Sequence, residues 1–366
     1  MKISIIHFHP IELYPPILNL LDYLTTDDAF EIEVLTTSND KNWLSDYSNS
    51  HISVNRIKFN SGSLFRRVIS YFKFYLYGLI YLIKLRPNTI IYYETYSSIS
   101  PILYKKVLSR NVKLLCHYHE LVLENEYSGM AKIIRIFEKW NVNLLNWISH
   151  TNEDRMKIFL SGNNLDRNEQ IHHVIPNYPP KKWNDYFRPL INEQSQIKLV
   201  YIGAIGNNTM YLNEICEFVR TNSNFTIDFY SNNIDNDSKN FFKDVNFCHR
   251  ITLHNGVNYY DVPIVLKEYH IGIVMYKPFS VNTVQAVSNK LFEYLACGLD
   301  VICSDDMVHT FHYERTNLRP FVKLIDFQNL PQTLPKAIEN MGELAYAPVS
   351  YFCENEYQKI AQYIKN

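Results

Sequence analysis

The run Val287-Ser288-Asn289-Lys290-Leu291-Phe292-Glu293-Tyr294-Leu295-Ala296-Cys297-Gly298 puts an ammonium and a carboxylate three residues apart, behind a Ser-Asn pair. Ser288 or Asn289 suits a helix N-cap and Gly298 a stop, so the spacing predicts a helix of about two turns, Lys290–Ala296. Lys290 and Glu293 then share a face near the positive end of that helix. Unpaired N–H groups, the helix dipole and the Lys290 charge together make an anion site able to hold a diphosphate. Glu293, one turn deeper, can accept hydrogen bonds from two vicinal hydroxyls such as those of a ribose. The same residues also read as an ordinary capped helix with an exposed Lys–Glu pair, worth only about a few tenths of a kcal/mol.

Other candidates stand at the ends of apolar runs. His119 and Glu120 follow Lys113–Tyr118; a neutral imidazole there can donate to or accept from a hydroxyl near pH 7, or handle a proton. Read alone, the pair is equally two loop residues satisfied locally. Gly203 and Gly206, in Gly203-Ala204-Ile205-Gly206, follow another such run. In a chain with only 10 glycines they suggest close backbone approach to a ligand, or a plain tight turn. His7 and His9 end the first run and are candidates for the acceptor side, with an exposed or satisfied histidine as the plainer account. Acidic pairs occur at Asp27-Asp28 and Asp305-Asp306, and one Asp-x-Asp at Asp235-Asn236-Asp237. The last falls in an Asn-rich stretch that reads as solvated loop, so no carboxylate cluster for a divalent cation is expected.

The elements that must position these residues alternate. Lys2–Phe8, Phe30–Thr37, Thr89–Tyr93, Lys113–Tyr118, Trp147–Asn152 and His172–Asn177 read as strands of a first half. Lys198–Gly203, Thr226–Ser231, Arg250–Asn255, Ile271–Tyr276, Asp300–Asp305 and Phe321–Asp326 read as strands of a second. Helical patterns fall between most of them, among them Ile17–Leu24, Met130–Leu145 and Tyr211–Thr221. Near-continuous apolar strands alternating with helices imply parallel sheets covered on both faces, hence α/β. The proline-bearing stretch Tyr178–Gln196 reads as an exposed crossing between two doubly wound domains. Expected boundaries are 1–178, 197–345, and 346–366 as a C-terminal helix packing back toward the first domain. Ligands of such domains collect at strand C-termini, here at a central cleft.

Leu64–Arg86 (LFRRVISYFKFYLYGLIYLIKLR) stands apart. Lys73 interrupts it and Arg66, Arg67, Lys84 and Arg86 flank it, so no charge-free stretch reaches the ~18–20 residues of a span. It reads either as a core helix with snorkelling cations or as an interfacial helix facing anionic lipid.

Composition limits the function classes. The chain has 366 residues, 36 Lys+Arg against 37 Asp+Glu and a net charge of −1. That balance argues against nucleic-acid partners, which call for a basic surplus. Hydrophobic residues make up 46 %, enough for sizeable cores. The six cysteines form no C-x-x-C pair or zinc spacing, and MKISIIHFHP reads as a first strand, so a reducing cytoplasm is the expected compartment.

The run SNKLFEYLACGLDVICSD resembles the nucleotide-sugar-binding segment of family-4-like bacterial glycosyltransferases of the GT-B fold, P-[SN]-K-x-x-E-Y-x-A-x-G-x-P-V-I. Asn289, Lys290, Glu293, Tyr294, Ala296, Gly298, Val301 and Ile302 fit; Ser288 and Asp300 stand where prolines are expected. Gln285 replaces the first Glu of the family's E-x7-E pair. Three further stretches resemble the family in order: Cys116–Leu121, with His117 for the usual Asp, the I-P-N-x-P element Val174–Pro179, and Leu199–Gly203. The family's basic residues after this glycine are missing, since Gly203–Glu217 has no Lys or Arg.

The resemblance implies two Rossmann-like domains facing a cleft and a metal-independent hexosyltransferase that needs no cofactor beyond a nucleotide-diphosphate-sugar donor. It implies that Glu293 binds the ribose, while Lys290 holds the diphosphate with Ser288, Asn289 and the glycine loop. Main chain at Gly256-Val257 would contact the base, and His119 and Glu120 would flank the transferred sugar. Retention of configuration, a role in surface polysaccharide or glycolipid assembly, and a hydroxyl acceptor, lipid-linked if Leu64–Arg86 meets the inner membrane face, also follow. Two alternatives remain: a sugar-nucleotide epimerase or hydrolase on the same scaffold, and a catalytically silent scaffold subunit.

Overall fold

In the computed structural model, which describes residues 1–38, 45–59, 62–163, 171–187, 196–244 and 249–366, the apolar runs become parallel strands. The first sheet holds β1 (Lys2–His7), β2 (Glu31–Thr37), β3 (Ile52–Ile57), β4 (Thr89–Tyr93), β5 (Lys113–Tyr118), β6 (Trp147–His150) and β7 (His172–Val174). Its order is β3-β2-β1-β4-β5-β6-β7, with Ile5 paired to Val34 on one side and Ile91 on the other. The second sheet holds β8 (Ile197–Ile202), β9 (Phe225–Tyr230), β10 (Ile251–His254), β11 (Ile271–Val274), β12 (Asp300–Ser304) and β13 (Val322–Ile325), in the order β10-β9-β8-β11-β12-β13. Both are doubly wound α/β sheets.

The helices of the first part are α1 (Pro15–Leu24), α2 (Leu64–Leu85), α3 (Ile99–Leu103), α4 (Gly129–Trp140) and α5 (Glu153–Asn163). Those of the second are α6 (Leu212–Thr221), α7 (Asn236–Asp244), α8 (Val262–Leu266), α9 (Val281–Val284), α10 (Asn289–Ala296) and α11 (Leu330–Ile338), with α12 (Cys353–Lys365) ending the chain. Strand crossovers are right-handed, so reversing direction along the sheet changes the face that a helix covers. One core accordingly joins Tyr71 and Phe74 of α2, Ile102 of α3 and Phe159 of α5 to Ile90, Tyr92 and Leu114 of the sheet. The alternate residues Ile91 and Leu115 share the other face with Leu20 of α1 and Ile360 of α12.

The chain divides into two compact units, Met1–Asn177 with Cys353–Asn366, and Tyr178–Phe352. Several boundaries differ from expectation. The strand β3 went unread because it is a half-buried edge strand with Ser53, Asn55 and Arg56 among its apolar residues. The strand expected to run to Asn152 ends at His150, since the Asn152 side chain accepts the Arg155 N–H at 2.8 Å and opens α5. The expected helix Met130–Leu145 ends at Trp140, where Asn141 folds back to donate to the Phe137 carbonyl at 2.7 Å. As far as Phe187 the expected exposed crossing is exposed in part: Lys181, Lys182, Asp185 and Tyr186 face solvent, while Pro179, Pro180 and Trp183 are buried. Its Lys181–Tyr186 forms a 3-10 helix in the second unit, with Trp183 buried against Tyr259. The rest of it, 188–195 with Pro189, lies outside the described residues, as does Cys248. The other five cysteines are buried thiols.

Candidate functional site

The strand order of the second sheet reverses between β8 and β11, and in doubly wound sheets ligands bind outside the strand ends at such a point. β8 stops at Ile202, and Gly203 turns with φ +143°, a conformation that favours glycine. The Lys290 side chain lies across this residue: a Cβ on Gly203 would come 2.6 Å from Lys290 Cε and 2.9 Å from its Nζ. Tyr294 fixes α10 to the sheet. Its ring packs against bare Gly272 of β11, and its hydroxyl accepts the Ile202 N–H at 3.2 Å.

Lys290 Nζ donates to the Tyr276 hydroxyl at 2.8 Å and lies over the rings of Tyr201 and Tyr276, 5.3 and 5.5 Å from their centroids. Burial alone would lower the ammonium pKa, but the Tyr276 oxygen and the Glu293 carboxyl outweigh it and hold the pKa above its ordinary value. Burial pushes the Glu293 carboxyl up to about 7 against the pull of Lys290. Ser288 is the N-cap of α10, yet its side chain makes no cap bond and instead faces the Tyr276 oxygen. The first intrahelical bond, Leu291 N–H to the Ser288 carbonyl at 3.0 Å, lies beyond the N–H groups of Asn289 and Lys290. The arrangement can receive an anion: a fixed cation, a helix N-terminus and a carboxyl that titrates near neutrality.

A second cluster forms where the first sheet reverses, between β1 and β4. His119 is buried and stacks on Tyr93 and Tyr14 with ring centroids 5.1 and 5.5 Å apart, and His117 meets its edge at 4.7 Å. Burial, then His117 and His7, hold its pKa well below the usual imidazole value, while the nearby Asn177 side chain favours the charged form. His119 is therefore neutral at pH 7. His117 is also neutral, lowered to about 3 by burial, and its Nδ1 pairs with Ser149 Oγ at 2.7 Å. His7 is lowered to about 3 by burial, then by His9, whose carbonyl lies 2.5 Å from His7 Nδ1.

Sequence reasoning missed the residue that holds this turn. Glu94, just past β4, is a non-glycine at φ +61°, the kind of strain that persists where the surroundings impose it. Its Oε1 accepts the N–H groups of His119 at 2.6 Å and Glu120 at 3.2 Å. Burial and the Glu120 charge push its carboxyl up to about 8 despite those two bonds. On the other side, Arg155 donates to the His119 carbonyl at 2.7 Å. The positive φ of Glu94 and its two N–H partners arise from the fold and leave no trace in sequence.

Placement of the expected residues is uneven. Gly203, Ser288, Asn289, Lys290 and Glu293 lie together, and Tyr276, not anticipated, joins them. Gly206 does not meet Lys290: a Cβ there would strike Thr209 Oγ1 at 2.6 Å and Asp235 Oδ2 at 3.2 Å, so it serves the turn. Asp235 is exposed, as expected of a solvated stretch, and accepts the Asn207 N–H at 3.2 Å and the Ser238 N–H at 2.7 Å, tying that turn to the start of α7. Val257 packs on the core beside β10, and Gln285 closes α9. His119 and Glu120 sit in the first unit, with Glu120 exposed beside Glu94.

No protein-family model and no curated protein matches the sequence. Solved structures do match. Sucrose-phosphate synthase from Thermosynechococcus elongatus superposes with TM-score 0.65 at 14 % identity, over 100 % of this chain and 95 % of that one. The lipopolysaccharide outer core galactosyltransferase WaaB gives 0.61 at 13 %, over 100 % and 97 %. UDP-GlcNAc 2-epimerase from Neisseria meningitidis, bound to UDP-GlcNAc, gives 0.62 at 14 %, over the whole of both chains. The chain has the GT-B fold, two Rossmann-like units on one polypeptide, which glycosyltransferases among these structures share.

Proposed function

We propose that the chain is a glycosyltransferase that moves a hexose from a nucleotide-diphosphate donor to a hydroxyl acceptor. The observation that carries this is the Lys290 ammonium laid over Gly203 at the N-terminus of α10, with the Glu293 carboxyl one turn behind it. Negative charge develops on the departing diphosphate during glycosyl transfer, and a preorganised cation with helix N–H groups stabilises charge of that kind. Lys290 exchanges its bond to Tyr276 for a phosphate oxygen, Ser288 and Asn289 offer the helix end, and Glu293 accepts from the ribose. Main chain at Val257 contacts the base, and Gly206 shapes the loop. Neutral His119, aimed by Glu94 and Arg155, takes a hydroxyl of the transferred sugar, with Glu120 beside it. Supply of the counter-charge by Lys290 and helix N–H groups makes the reaction independent of a metal ion. The acceptor is a lipid-linked saccharide of surface polysaccharide or glycolipid assembly, transfer retains configuration, and the enzyme works at the inner face of the cell membrane.

Calorimetric titration with UDP-glucose and UDP-GlcNAc tests the donor site. Lys290→Ala and Glu293→Ala should each weaken binding by about 10- to 100-fold, the worth of a charge-assisted hydrogen bond. Unchanged affinity in both overturns the assignment. A second reading, a sugar-nucleotide epimerase, is favoured by the Glu94 carboxyl, which keeps its proton near neutral pH and so can act as an acid. Steady conversion of UDP-GlcNAc without any acceptor would select it.

A further inference from the structure

We propose that the first unit rests on anionic bilayers through a face made jointly by α2, the turn after α3, and α4, dipping into the headgroup region without spanning it. This deepens the membrane setting of the proposed function and stands without its donor site.

By length and composition Phe65–Leu85 could cross a membrane, and only a third of it is buried. Its inner stripe, Tyr71, Phe74, Tyr81, Leu82 and Leu85, belongs to the core of the sheet. At Gly78 the helix approaches α3 so closely that a Cβ would come 2.7 Å from Ser100 Oγ. A spanning helix would have to abandon this packing, so α2 lies flat while the unit is folded. Its outer stripe is apolar nonetheless: Phe65 is 74 % and Phe72 67 % exposed, and Leu76, Ile80 and Ile83 continue the row.

The stripe is not alone. α2, α3 and α4 follow one another in the same helical layer, because β3-to-β4, β4-to-β5 and β5-to-β6 are successive crossovers in one direction. Val107 and Leu108 project from the π-turn Tyr104–Leu108, and Lys106 of that turn donates to Asn141 at the end of α4. From α4 itself Ile133 stands 64 % and Trp140 79 % exposed, with Ile136 between them. These three elements hold thirteen of the twenty-four exposed large apolar side chains among the described residues. Apolar exposure concentrated in one helical layer marks an interaction site.

Charge selects the occupant. The three elements, residues 64–86, 104–110 and 129–140, carry eleven Lys or Arg and a single acid, Glu138, in a chain whose net charge is −1. Lys105, Arg135 and Glu138 are buried, so the exposed charge on them is all basic. Arg66, Arg67, Lys73, Lys84 and Arg86 all lie on or beside α2. A second copy offering the same face would meet like charge, whereas anionic headgroups meet opposite charge, and the apolar row meets acyl chains.

Flotation of the full chain with vesicles tests this. Association is expected with phosphatidylcholine–phosphatidylglycerol mixtures but not with phosphatidylcholine alone, and it should weaken toward ~1 M salt, where the Debye length is ~3 Å. I133S/W140S on α4 and F72S/L76S on α2 should each lower partitioning about tenfold or more. L253S/I264S, exposed on the second unit, should leave it unchanged. UDP-glucose binding, read in solution on the same proteins, should be equal in all, which separates this surface from the donor site. An α4 variant that partitions like the wild type overturns the joint face. Equal binding to neutral vesicles overturns the anionic occupant. Self-association that I133S/W140S abolishes would assign the face to a second copy instead, and resistance to alkaline carbonate extraction would show a span; both reject the proposal.

Discussion

At Gly203 the backbone and the site impose the same requirement. With φ +143° and a neighbouring Lys290 Cε 2.6 Å from any added Cβ, Gly203→Ala must strain the turn and push the ammonium aside. A non-glycine residue in such a region costs about 1–3 kcal/mol, so the urea midpoint should fall and UDP-glucose affinity with it. Full affinity in a destabilised variant would show that Lys290 does not need this path. Glu94 makes a different prediction. Its folded pKa, about 8, lies above that of an unfolded carboxyl, so the folded state keeps the proton longer. That stability is complete below about pH 4 and is lost as pH rises through the folded value. Glu94→Gln retains an acceptor for both N–H groups and has no proton to lose. Measured against the wild type across this window, its urea midpoint should gain as pH rises; a constant difference would reject the titration. Lys290, Glu293 and Gly203 were legible because sequence-local spacing and glycine scarcity carry them. Glu94, Tyr276, Arg155 and Tyr14 were not, because only the topology gathers their distant strand ends.

Secondary elements were legible where burial dominates. Strands such as Thr89–Tyr93 and Lys113–Tyr118 are buried almost throughout and were placed to the residue, whereas β3, half-wet at the edge, was not. α10 was readable from its cap and its Gly298 stop, but nothing in its own sequence says how tightly it seats. That is set by β11: a Cβ on Gly272 would come 2.1 Å from Tyr294 Cδ2, so the strand needs a bare backbone where the ring lies. Gly272→Ala therefore lifts α10 as a body, carrying Lys290 and Glu293 with it. Overpacking of this kind costs roughly 1–3 kcal/mol. The expected result is a lower melting temperature together with weaker UDP-glucose binding, although residue 272 touches no ligand. Tyr294→Phe, which keeps the ring and leaves the Ile202 N–H without its 3.2 Å acceptor, should cost about 1–3 kcal/mol with little change in affinity. Equal affinity losses in both would mean that ring seating is not what sets the helix position.

On the scale of the chain, the last residues belong with the first. Tyr357 donates its hydroxyl to the Pro16 carbonyl at 2.9 Å, and Tyr363 donates to the Asn146 carbonyl at 3.1 Å. Lys113 donates to the carbonyls of Tyr363 and Ile364, both at 3.0 Å. Tyr357, Ile360 and Ile364 are buried, so α12 completes one face of the first sheet after the chain has built the whole second unit. Removing 353–366 strips five buried side chains, and Tyr357, Ile360 and Ile364 alone are worth roughly 1.5–3 kcal/mol each, a loss comparable to the ~5–15 kcal/mol that holds a domain together. The second unit, Tyr178–Phe352, loses nothing of its own, and it contains Gly203, Tyr276, Lys290 and Glu293. A chain ending at Phe352 should therefore show an early melting transition for the first unit and a second one near the original temperature, with UDP-glucose still raising the latter because ligand stabilises only the unit that binds it. Vesicle flotation should fail in the same protein, since the lipid face depends on the first unit's sheet. Loss of nucleotide binding together with the first transition would show that the two units fold as one, and that the donor half-site is not self-sufficient.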